Sequence, residues 1–252
     1  MQSIERVFVA GAGLMGHGIA QVHAAAGLPV VLYEPDITRA EAGRERIAGN
    51  LARAVAKGKL SDPERDAVLK RIRVSADIAD AADASLVVEA VFEDLAVKHG
   101  LWRTIDAVAA PDAIFASNTS SIAIHRLAEA VSAERRPRFV GMHFFSPVPV
   151  MPLVELIRGH DTDDDTVQAI RALSERLAKQ VIVSADRPGF IVNRILMPFL
   201  VEAMRALEQG VGTAEDIDTG ARVGLNHPMG PLELADFIGL DVCLGIMRVL
   251  ED

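Results

Sequence analysis

Four side chains carry the chemistry this sequence offers: His143, Glu155, Ser120 and Asn193. His143 ends the apolar run Phe139-Val140-Gly141-Met142 and precedes Phe144-Phe145-Ser146-Pro147, whose aromatics would keep it dry. An imidazole titrates near neutrality, so it can take a hydroxyl proton as an alcohol is oxidised. Glu155 follows the apolar residues Val150, Met151, Leu153 and Val154. A carboxylate in such surroundings needs a partner, and an imidazole N–H would both satisfy it and gain a fixed tautomer. The same spacing also fits a histidine satisfied in a core and an acid at a helix end. Ser120, in Asn118-Thr119-Ser120-Ser121, has no base beside it and no Gly-x-Ser-x-Gly elbow around it. It reads as a hydroxyl donor to a substrate oxygen rather than a nucleophile. Asn193, just after Pro188-Gly189, offers an amide for the same task; either residue also fits a cap.

An oxidation needs an acceptor, and the start of the chain supplies a place for one. Val7-Phe8-Val9-Ala10 reads as a buried strand delivering Gly11-Ala12-Gly13-Leu14-Met15-Gly16 into a helix. In such a turn the first glycine makes the bend, the second lets backbone approach a pyrophosphate, and the third lets helix pack on strand. The helix N-terminus then faces the phosphates. Val30-Val31-Leu32-Tyr33 reads as the next strand and ends in Glu34. That is about the ~20-residue spacing at which an acid meets the adenosine ribose. A carboxylate there repels a 2′-phosphate, and Pro35-Asp36-Ile37 brings no arginine, so the expected cofactor is NAD rather than NADP.

These groups must be held by a scaffold. Strand-like runs alternate with helical stretches up to about residue 185: Ala84–Glu89, Ala113–Ser117, Phe139–His143 and Val181–Val183 follow the first two. Ser61-Asp62-Pro63-Glu64 has the grammar of a capped helix start. The pattern predicts an α/β fold, a doubly wound and mostly parallel sheet of Rossmann type. Ligands in such sheets sit beyond the strand C-terminal ends, where Glu34, Glu89, Asn118, Ser120 and His143 converge. Asp186-Arg187-Pro188-Gly189 reads as a boundary between a dinucleotide-binding domain (1–186) and a smaller all-helical one (187–252). In the latter, Phe190–Glu208 is helical with a kink or junction expected at Pro198. Thr213-Ala214-Glu215-Asp216 caps another helix, and Leu232–Leu250 is again helical.

Composition narrows the partners. The chain has 252 residues, half of them apolar, and a net charge of −9, which argues against nucleic acid and anionic membranes. No stretch predicts a transmembrane helix or signal peptide. Cys243 is the single cysteine, so a reducing, cytoplasmic setting is expected and a multi-cysteine metal site is not. No histidine pair has metal-ligand spacing. His17 and His23 suit surface or packing roles on the first helix; His99, His125 and His160 read as solvated, and His227 as loop architecture.

Six stretches together resemble the L-3-hydroxyacyl-CoA dehydrogenase family, its bacterial 3-hydroxybutyryl-CoA branch above all. They are GAGLMGHGIAQ, VVEAVFEDLAVK from Val87, FASNTSS from Phe115, HFFSPVPVMPLVE from His143, PGFIVNRIL from Pro188 and EDIDTGARVGLNHPMGPLELADFIGLD from Glu215. The resemblance implies NAD-linked interconversion of an L-3-hydroxyacyl-CoA and its 3-ketoacyl-CoA. The acyl-CoA would lie between the two domains, and the protein would form a homodimer through the helical one. By matching position His143 is the base, Glu155 its partner, and Ser120 and Asn193 the groups on the reacting oxygen. Glu93, Lys98 and Asn118 match positions near the nicotinamide, and Asn50 and Lys57 positions near coenzyme A. Ser146 stands where many members carry a substrate-contacting asparagine. Members continue past the counterpart of Asp252 with another helix and a Gly/Lys-rich tail, so the resemblance implies a truncated helical domain here. A 3-hydroxyadipyl-CoA or free hydroxy-acid dehydrogenase, or an NAD-binding protein without turnover, are the alternatives it leaves.

Overall fold

The structure is a computed structural model that describes residues 3–251. The chain divides into two compact units, Met1–Asp186 and Arg187–Asp252.

The first unit is built on one eight-stranded sheet of order β3-β2-β1-β4-β5-β6-β7-β8. Its first half comprises β1 (Val7–Ala10), β2 (Val30–Tyr33), β3 (Ile72–Ser75) and β4 (Leu86–Glu89). The second comprises β5 (Ile114–Ser117), β6 (Phe139–Phe144), β7 (Leu153–Arg158) and β8 (Gln180–Ala185). Every neighbouring pair is parallel except β6 and β7. The central strands are buried on both faces, which is why they read as unbroken apolar runs.

Helices cover both faces: α1 (Leu14–Ala25), α2 (Ile37–Ala56), α3 (Asp62–Lys70), α4 (Leu95–Asp106), α5 (Ile124–Ala128) and α6 (Asp164–Arg176). The helix start at Ser61 is a full capping box with Glu64. On one face Val9, Leu32, Val88, Ala116, Met142 and Leu156 form a continuous core with Ile19, Ile47 and Ile170. On the other, Trp102 stacks on Phe115 and meets Phe139 edge-on. Alternation along β6 and β7 puts Met142 and Leu156 into the first core. It therefore turns His143 and Glu155 together to the opposite face.

Two features were not anticipated. β3 is a short edge strand, and Glu155 stands not at a helix end but in β7, which starts at Leu153 after a turn through Val150.

The second unit is helical: α7 (Val192–Glu208), α8 (Ala214–Thr219), α9 (Pro231–Ile238) and α10 (Leu240–Glu251). Of the kink or junction expected at Pro198, the structure shows no junction: α7 runs through it. Met197 and Leu200, on either side, are buried in this unit's core with Ala235 and Cys243, and that packing outweighs one lost backbone bond. Leu232–Leu250 is helical as expected, in two pieces. Gly239, at φ 99°, breaks it into α9 and α10. Asp218 closes the preceding loop by accepting the Leu232 and Glu233 N–H groups at the start of α9.

Candidate active site

The glycine turn leaves β1 beside β4, where strand order reverses. Gly11 adopts φ 106°, and a Cβ there would lie 2.5 Å from the Ala90 carbonyl oxygen. A Cβ on Gly16 would lie 1.8 Å from the Gly11 carbonyl oxygen, so the third glycine lets α1 close on the turn itself. Gly13 differs: a Cβ there would meet nothing within 4 Å, so its backbone faces open space that a side chain would occupy. Leu14 and Met15 begin α1, whose N-terminus has no side-chain cap and no acid in its first turn. The positive end of the helix is thus left for an anion. Glu34 lies at the end of β2, and its Oε2 accepts the Ala12 N–H at 2.9 Å. The turn, the helix end and the acid together fit a dinucleotide. Arg39 reaches within 3.8 Å of Glu34 from the first turn of α2, a neighbour that sequence proximity did not suggest. Its guanidinium is exposed, so the pair is worth about 0–1 kcal/mol.

Across the rim, β6 and β7 pair antiparallel with His143 directly opposite Glu155. Both are buried, Glu155 completely. His143 Nδ1 lies 3.1 Å from Glu155 Oε2, and its Nε2 lies 3.1 Å from Ser120 Oγ. A carboxylate only accepts, so the neutral ring carries its proton on Nδ1 and keeps the Nε2 lone pair toward Ser120. The Phe145 ring packs 4.5 Å from the imidazole centroid. Asn118 Oδ1 accepts the Phe144 N–H at 2.8 Å, which ties the end of β5 to the end of β6.

Between these two groups lies a charged cluster. Lys98, buried in the first turn of α4, places Nζ 2.5 Å from Glu89 Oε1 and 3.0 Å from Glu93 Oε2. Glu93 Oε1 accepts from the Thr119 hydroxyl, from the Ser120 and Ser121 N–H groups at 3.0 and 3.2 Å, and from Ser121 Oγ. Burial alone would raise the Glu93 carboxyl; Lys98 and these donors outweigh it and hold it below the usual carboxylate range. Breaking a buried pair such as Lys98–Glu89 costs about 3–5 kcal/mol, far more than the exposed Arg39 contact. Glu89, expected on the rim as the end of a buried strand, thus belongs to the site together with Thr119 and Ser121, whose type and position assigned them no role. The strand-end carboxylate placed Glu89 on the rim, but nothing local marked Lys98 as its partner.

The remaining candidates lie elsewhere. Asn50 and Lys57 sit on and just after α2; the Asn50 amide donates to Gln21 and accepts from Arg53, while Lys57 is exposed. Ser146 follows β6 in the connection to β7, and Asn193 is buried near the start of α7 in the second unit. Among the other histidines, His23 is packed: complete burial lowers its pKa to about 4, and Nδ1 donates to the Ile19 carbonyl. His125 is not merely solvated, since it pairs with Asp186, which also accepts the Ile124 and His125 N–H groups at the start of α5.

Comparison with known proteins shows the family of the chain. Residues 6–187 match the model of the 3-hydroxyacyl-CoA dehydrogenase NAD binding domain, and residues 189–252 that of the C-terminal domain. A 3-hydroxybutyryl-CoA dehydrogenase of Bradyrhizobium diazoefficiens is 50% identical over 99% of this chain and 84% of its own length. The human mitochondrial hydroxyacyl-coenzyme A dehydrogenase is 44% identical over 94% of this chain and 77% of its own. The solved structure of (S)-3-hydroxybutyryl-CoA dehydrogenase from Ralstonia eutropha superposes with a TM-score of 0.96 at 46% identity, covering 98% of this chain and 87% of that one. No helix among the described residues is long and apolar enough to cross a membrane. The chain is an NAD-dependent oxidoreductase and belongs to the 3-hydroxyacyl-CoA dehydrogenase family.

Proposed function

We propose that the chain interconverts L-3-hydroxybutyryl-CoA and acetoacetyl-CoA, with His143 as the acid–base group. The observation that carries this reading is the continuous line from Ser120 Oγ through the His143 ring to buried Glu155. In the oxidative direction the Nε2 lone pair of His143 takes the substrate's hydroxyl proton, and Glu155 offsets the imidazolium charge that results. Ser120 holds the reacting oxygen against Nε2, and Asn193 has the same task by its matched position in the family motif. NAD, when bound, supplies the hydride acceptor. The turn at Gly11, Gly13, Leu14, Met15 and Gly16 would hold it with Glu34 at the adenosine ribose. Glu93, Lys98 and Asn118 border its nicotinamide half. Asn50 and Lys57 are assigned to coenzyme A, whose phosphates suit the exposed Lys57 ammonium, and Ser146 to the acyl group. The chain works as a homodimer through its helical unit, where Val223, Leu225, Phe237 and Leu240 are exposed.

Oxidation of NADH in the presence of acetoacetyl-CoA, compared with free acetoacetate, tests the function directly. Turnover restricted to the thioester supports it; turnover with acetoacetate alone, or with neither, sinks it. The Glu34 assignment predicts a second result. Glu34→Ala removes a carboxylate worth roughly 1.5–3 kcal/mol as a charged hydrogen-bond partner, about tenfold or more in NADH affinity. It also leaves Arg39 beside the ribose, so the preference for NADH over NADPH narrows. Fluorescence titration with both cofactors checks this, and an unchanged ratio rejects the assignment.

A further inference from the structure

One carboxylate at the rim has no part in the steps above. Glu89 is the last residue of β4, fully buried, with Ala10 and Ser117 as its register partners. Its position is fixed on three sides. Oε1 accepts the Val91 N–H at 2.8 Å and the Lys98 ammonium at 2.5 Å, and Oε2 accepts the Ser117 hydroxyl at 2.6 Å. Lys98 is only 1% exposed, and its second carboxylate partner, Glu93, lies on the partly exposed connection between β4 and α4. Two carboxylates around one ammonium leave one negative charge. The hydroxyl and N–H donors of residues 119–121 converge on that charge at Glu93 Oε1.

We infer that Glu89 is a positioning residue for Ser120, acting through Lys98 and Glu93. A lysine has a flexible stem and three equivalent donors, so it does not choose its own direction. Glu89 does, because strand-end hydrogen bonds hold it where no solvent competes. It pins the ammonium, the ammonium pins Glu93, and Glu93 latches the turn that sets Ser120 Oγ against His143. The latch is a property of the chain without ligand. Only its consequence for turnover rests on the dehydrogenase reading.

Hydrogen exchange on the cofactor-free protein tests it. In Glu89→Gln the amide keeps the side chain's size but loses its charge. The Ser120 and Ser121 amides then exchange about tenfold faster, while Ile124 and His125, anchored by Asp186, keep their wild-type rates. Lys98→Met gives the same local pattern, and the double variant is no faster than the worse single one, because the two residues act in one line. Ser117→Ala, which removes one Glu89 hydrogen bond without touching charge, gives a smaller version and stands in if Glu89→Gln does not fold. Wild-type exchange at Ser120 and Ser121, or acceleration spread evenly to Ile124 and His125, overturns the inference. In the folded variants the kcat for acetoacetyl-CoA reduction falls in the same order as the exchange rates rise. Loss of latch protection with wild-type kcat overturns the link to Ser120. An inert wild-type chain with the local exchange pattern intact instead sinks the dehydrogenase reading and leaves the latch standing.

Discussion

His143→Gln lowers kcat for acetoacetyl-CoA reduction by about 10²–10⁴-fold, the range lost when a positioned acid–base group is removed. Glutamine approximates the length of the imidazole and can still donate to Glu155, so the completely buried carboxylate is not left without a partner. What it cannot do is exchange a proton near neutral pH. The cofactor side is spared, because β1, which delivers the glycine turn, is separated from β6 by β4 and β5. NADH titration therefore gives a dissociation constant within about threefold of wild type, since sites this far apart act nearly independently. Both measurements are needed. Lost turnover with lost NADH binding would point to a misfolded variant, and retained turnover would remove His143 from the chemistry.

The parts of this site legible in the sequence are those encoded locally. The glycine turn, the β2 run ending in Glu34 and the Ser61 capping box each need only a few neighbouring residues to be recognised. Strand ends were legible for a related reason: buried parallel strands are continuous apolar runs, and the polar residue that stops each run stands on the ligand rim. Register between distant strands has no local signature. Leu153–Arg158 has apolar residues on both faces and only one acid within it. Nothing in that run says that it pairs antiparallel with β6, so Glu155 could equally have been read at a helix end. Pairing in register converts a plausible dyad into two side chains facing each other across adjacent strands.

The same reasoning explains why Glu89 and Lys98 went unrecognised as a pair. Their contact crosses from a strand end to the first turn of α4, a distance that neither the period of a strand nor that of a helix predicts. In the second unit what the sequence left open concerns glycine and proline. Pro198 sits inside α7 because buried neighbours hold the helix on both sides of it, whereas Gly239 ends α9 through a positive φ that a lone glycine in an apolar run does not advertise.

Glu155→Gln gives the second large effect, and it separates a dyad from a mere core contact. The wild-type carboxylate can only accept, which keeps the proton on His143 Nδ1 and the lone pair on Nε2. An amide at position 155 presents a donor as well as an acceptor, so the opposite tautomer becomes available and Nε2 no longer faces Ser120 as a base. It also removes the negative charge that offsets the imidazolium formed during oxidation. Turnover therefore falls by about 10²-fold or more, as when the carboxylate orienting a catalytic imidazole is made neutral. Because imidazolium loses its stabilising neighbour, the acid limb of the kcat/KM–pH profile for L-3-hydroxybutyryl-CoA oxidation moves to lower pH. A residue that served packing alone would lower thermal stability and leave that limb in place. Steady-state rates from pH 5 to 9, with a melting curve for each protein, distinguish the two. A destabilised variant with the wild-type profile would return Glu155 to the core and leave His143 to act without it.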